Sequence, residues 1–88
     1  MVTLKNYMEE VVFNLIDSVL NDIDMCKCEL CIKDIAALAL NSLPPKYIVS
    51  EKGELYSKVN SLRSQFEVDV ISAITKAAVL VKKTPRHK

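Results

Sequence analysis

Leu4, Tyr7, Met8, Val11, Val12, Leu15, Ile16, Val19, Leu20 and Ile23 recur at steps of three and four, with Glu9, Glu10 and Asp17 between them. A single apolar stripe at that period predicts an amphipathic helix over residues 4–21, capped by Thr3 and weakening at Asn21-Asp22. Ile32, Ile35, Ala36, Ala39 and Leu40 share one side of a second helix, about residues 30–42, and Leu38 falls on the other side. A helix apolar nearly all round should be the most buried element. Asn41-Ser42-Leu43-Pro44-Pro45 ends it, because proline lacks the amide donor and drives the residue before it towards extended backbone. Lys46 to Val49 then reads as extended, and Ser50-Glu51-Lys52-Gly53 as a turn or short helical start.

The third pattern is the longest. Leu55, Val59, Leu62, Phe66, Val70, Ile74, Ala77 and Val81 hold the helical spacing for about eight turns, a rod of roughly 40 Å. Ile71, Ala73, Ala78 and Leu80 widen its stripe beyond what two shorter helices cover. The surplus predicts a homodimer with the long helix as a main contact; the alternative is that the first helix covers all of it. The expected fold is therefore an all-α domain over residues 1–88, with two shorter helices and one long carboxy-terminal helix.

Composition narrows the function. Half of the 88 residues are apolar, with one Gly. A core of this size gains from a metal or from self-association. Twelve Lys and Arg against eleven Asp and Glu give no basic footprint for a nucleic-acid polymer. The tail residues Lys82, Lys83, Arg86 and Lys88 suit a carbonyl-rich helix end. Glu9 and Glu10 precede any apolar run of useful length, and Lys76 and Lys82 bracket Ala77–Val81, so neither a signal peptide nor a membrane span is expected. The expectation is a soluble, cytoplasmic protein.

All three cysteines fall in CKCELC, residues 26–31. Cys26 and Cys28 share one side of an extended backbone, and Cys28 and Cys31 meet on one turn at a helix start. In a reducing compartment such clusters are metal or redox groups rather than structural disulfides. Zn²⁺ suits three thiolates, and a helix amino terminus favours the thiolate that binds it. The fourth position falls to His87, the only histidine, with water, Asp24 or Glu29 competing. The alternatives are reduced structural thiols, or a Cys28–Cys31 redox pair; the latter lacks the strand–helix alternation of redox folds and leaves Cys26 unexplained.

No nucleophile–base set or glycine-rich phosphate loop is present, so no enzyme is expected. Lys46, Tyr47, Arg63, Gln65 and Arg86 remain as polar candidates. An arginine beside an aromatic ring can hold a nucleotide by phosphate pairing and base stacking, while an ordinary polar surface is the plainer account.

Three segments, MEEVV at 8–12, CKCELCIKDIAALALNSLPPKY at 26–47 and AAVLVKKTPRH at 77–87, resemble the ComFB-like family, named for late competence development. That resemblance covers nearly the whole chain. It implies a small helical dimer whose cysteine cluster binds zinc, and regulation rather than catalysis. Some members look like receptors for cyclic dinucleotides such as c-di-GMP or c-di-AMP; others are tied to an operon for DNA uptake. The expected function is a non-enzymatic signalling module that binds a cyclic dinucleotide. The alternative is a zinc-stabilised protein–protein adaptor with no small ligand. Where some relatives carry a fourth cysteine in the tail, this chain carries His87.

Overall fold

The computed structural model describes residues 2–51 and 55–84. Their order is strand β1 (Val2–Asn6), helix α1 (Met8–Asn21), helix α2 (Glu29–Ser42), strand β2 (Tyr47–Glu51) and helix α3 (Leu55–Lys83). The three helices stand close to where periodicity puts them. The strands correct the all-α expectation: β1 and β2 pair antiparallel, with Leu4 opposite Val49 and Asn6 opposite Tyr47. Leu4 fits the helical stripe only by coincidence of spacing. Its actual partner lies far along the chain, beyond the reach of any local period.

The start of α1 is corrected with it. Tyr7 occupies the N-cap position and makes no side-chain cap bond. Asn6 does that work instead: its Oδ1 accepts the Met8 N–H at 3.2 Å and the Lys46 N–H at 2.9 Å. The Tyr7 N–H donates to the Lys46 carbonyl at 2.8 Å. One side chain thus caps a helix and ties it to the connector after the double proline; a cap of this kind contributes about 1 kcal/mol. Lys5 pairs with Glu10, and that carboxylate raises the lysine's pKa, fastening β1 to α1. At the far end of α2, Leu43 is extended (φ −103°, ψ 143°) before Pro44, as proline geometry demands.

One apolar cluster draws on all three helices: Val11, Val12, Leu15, Ile16 and Leu20 of α1, Cys31, Ile35, Ala36 and Ala39 of α2, and Val70, Ala73, Ile74, Ala77, Ala78 and Val81 of α3. The alanines of α2 and α3 let the helices approach closely. The most buried helix is α1, not α2 as expected. α2 lies against its neighbours on one side only, so Leu30 and Leu38 emerge half-exposed on the other. Of the residues that widen the α3 stripe, Ile71 and Leu80 are exposed, as are Val68 and Val79, whereas Ala73 and Ala78 are buried in the core. Among the described residues no helix is long and apolar enough to cross a membrane.

Candidate metal centre

The loop after α1 carries Cys26 to the amino end of α2, where Cys28 is the N-cap residue and Cys31 lies in the first turn. Lys27 Nζ donates to the Ile23 carbonyl at 2.9 Å, drawing the loop back over the end of α1. No disulfide joins the cysteines. Their three sulfurs lie within 4.8 Å of one another. Tetrahedral zinc with Zn–S bonds of about 2.3 Å sets its sulfurs about 3.8 Å apart, so a small contraction brings all three into one coordination sphere. The trio is able to hold a metal ion.

Electrostatics divide the cluster. The backbone N–H of Cys31 lowers the Cys28 thiol pKa below its ordinary value, helped by the Cys26 and Cys31 side chains and the Leu30 N–H. Burial pushes the Cys31 thiol up to about 12, and its two neighbouring sulfurs add to the rise. Cys31 belongs to the core, while Cys26 and Cys28 are exposed. The chain thus offers a metal two accessible sulfurs and one rooted in the packed interior.

This asymmetry predicts an order of reactivity in the metal-free protein. Alkylation follows the thiolate fraction and access, so iodoacetamide should label Cys28 well before Cys31. Raising the pH should increase Cys28 labelling first, below the usual thiol range. Cys31 should stay inert until its own pKa is approached. Peptide mass mapping between about pH 6 and 10 checks the order; Cys31 reacting as fast as Cys28 would refute it.

The fourth position divides the candidates. Asp24 and Glu29 lie outside the convergent cluster, and Glu29 pairs with Lys33 at 3.1 Å. His87 lies outside the described residues, as does Arg86.

Of the ligand candidates, Lys46 is half-buried with its Nζ 5.0 Å from the centroid of the Phe66 ring. Phe66, read from the sequence only as a core position, meets the connector at Lys46. Arg63 lies one turn before it, exposed, with Nε 3.8 Å from Glu67. Tyr47 is exposed at the start of β2. Gln65 is exposed as well, but two residues along a helix it points about 200° away from Arg63. Lys46 therefore meets α3 one turn from Arg63, while Gln65 points to another face. Sequence reasoning also missed a groove of about 330 Å³ between Leu43-Pro44 and the α3 residues Asp69, Ser72 and Lys76. No motif marks it, because it arises where the connector crosses the helix.

The comparisons agree with this architecture. A family model described as late competence development protein ComFB matches residues 5–85. The competence protein ComFB of Bacillus subtilis (strain 168) is 29% identical over 83 residues, 93% of this chain and 85% of that protein. The solved structure of the late competence protein ComFB from Bacillus subtilis superposes with a TM-score of 0.79 at 27% identity, covering 94% of each chain. That likeness extends from the β1–α1 junction through the cysteine turn to the end of α3, and on it the chain belongs to the ComFB late competence development family.

Proposed function

We propose that this protein is a non-enzymatic, cytoplasmic signalling module, a homodimer clipped by Zn²⁺, that binds a cyclic dinucleotide such as c-di-GMP or c-di-AMP. Cys26, Cys28 and Cys31 hold the ion, with His87 as the fourth ligand. The metal's part is structural: it locks the loop before α2 onto the core through Cys31 and ties the carboxy-terminal tail to it.

The observation that carries the ligand reading is the contact of Lys46 with Phe66. It sets a cation one helical turn from Arg63, and Tyr47, the next residue along the chain, offers an exposed ring. A phosphodiester needs the cations and a base needs the ring. Arg86 and Gln65 would contribute from the tail and from the other face of α3. The open grooves of one chain measure about 330–400 Å³, the lower end of small-ligand sites. A two-fold symmetric ligand is therefore better served by two copies of the chain.

Titration calorimetry with each cyclic dinucleotide tests this. One ligand per two chains is expected, with affinity weakened at least about tenfold by Arg63→Ala. No heat with either nucleotide at about 100 µM protein sinks the reading and leaves the adaptor without a small ligand.

A further inference from the structure

The cysteine cluster sorts its sulfurs by access as well as by distance. Cys26 and Cys28 are exposed, while Cys31 is 1% exposed and belongs to the core. All three sulfurs lie within 4.8 Å of one another. Cys28 is the N-cap residue of α2, in extended backbone (φ −70°, ψ 165°), and its carbonyl accepts the Ile32 N–H at 3.0 Å. That bond closes the first turn around Cys31, and positions three apart on one turn are neighbours. The exposed Cys28 side chain is able to turn towards the sulfur fixed in the core. A Cys26–Cys28 bond would instead close over Lys27 alone, a ring too short for relaxed disulfide geometry. An accessible sulfur beside a protected one is the arrangement in which the first is oxidised and the second resolves it.

We propose that Cys28 and Cys31 form a reversible disulfide when the protein meets a peroxide, and that this bond expels the metal. The expulsion rests on the zinc clip proposed above; the disulfide rests on the sulfurs alone. The Cys28 thiolate attacks one oxygen of hydrogen peroxide, the O–O bond breaks, hydroxide leaves, and Cys28 becomes a sulfenic acid. The Cys31 thiolate then attacks the Cys28 sulfur, the S–O bond breaks, and a second hydroxide leaves as the S–S bond forms. Two thiolates have lost two electrons, the peroxide has gained them, and water supplies the two protons that the hydroxides take up. Cys31 never meets the oxidant, so its burial does not hinder the second step. A metal binds thiolate sulfur. The bond therefore withdraws two of the three sulfurs at once, and Cys26 is left without a closed tetrahedral set.

Titration of the zinc-loaded full chain with hydrogen peroxide tests the proposal, with released zinc read by a chromogenic chelator and the thiols mapped by peptide mass spectrometry. About one zinc and two thiols should be lost per chain, with Cys26 still reduced. Dithiothreitol should then restore both the thiols and zinc binding. Cys28→Ser should slow thiol loss at least about tenfold. Cys26→Ser should still form the Cys28–Cys31 bond, at a rate within about twofold, and its disulfide map decides the matter where Cys28→Ser fails to fold. A bond through Cys26, or sulfinic acid at Cys28 with no disulfide, overturns the proposal. So does a chain that keeps its thiols and its zinc in about a hundredfold excess of peroxide, an outcome that leaves the clip itself standing. A chain that never binds zinc yet forms the Cys28–Cys31 bond supports the disulfide and defeats the clip.

Discussion

Cys31→Ser is expected to remove the metal and a large part of the stability in one step. The sulfur is the only one of the three rooted in the core, and serine is a poor ligand for a soft site. Structural zinc contributes folding free energy outright, and losing it here should cost about 3–5 kcal/mol, the range of large single-site losses. For a chain of this length that lowers Tm by about 16–27 °C. Metal analysis should find one zinc per unaltered chain and none in the variant. With chelator present the two should converge to within about 2 kcal/mol, since the metal term is then gone from both. A Cys31→Ser chain with full zinc content would refute the clip; His87→Ala should reduce zinc affinity and leave the three-sulfur site able to bind weakly. The pH dependence has a definite sign. Binding requires thiolates, and the metal-free Cys31 thiol holds its proton up to about 12. Zinc must displace that proton, so its affinity rises with pH and acidification releases it.

Ile74→Ala is expected to match that loss by a different route. Ile74 is fully buried in the cluster that joins α3 to both other helices. Removing a branched side chain there forfeits transfer free energy and leaves a cavity, about 3–4 kcal/mol, or about 16–22 °C in Tm. Unlike the cysteine variant, this loss should persist undiminished in chelator. Val68→Ala, on the same helix but 80% exposed, should change monomer stability by no more than about 0.5 kcal/mol. Scanning calorimetry of the three chains separates the metal contribution from the packing contribution; equal losses at Ile74 and Val68 would contradict the core assigned here.

The three helices were legible because each buries one face, and burial writes its period into the chain. The end of α1 at Asn21, both ends of α2 within a residue, and the core positions Val70, Ile74, Ala77 and Val81 of α3 all follow from that. The cysteine trio was legible for a related reason: three sulfurs within six residues converge through one loop and one helical turn, with no distant element required. Strand β1 was not legible, because a five-residue strand gains its order from a partner more than forty residues away. The same distance hid the role of Asn6, whose second hydrogen bond reaches Lys46.

By itself, then, the sequence determined what is local: helices from an apolar period, a chain break from Pro44-Pro45, a sulfur cluster from spacing, and a near-neutral surface from composition. Tertiary structure alone decided which apolar positions are covered. Leu4 and Leu38 read as core and stand in solvent, while Phe66 meets Lys46 and joins the connector to α3. The physical reason is that hydrophobicity records a residue's tendency to leave water, and only the packing of distant segments determines which surfaces are available to receive it.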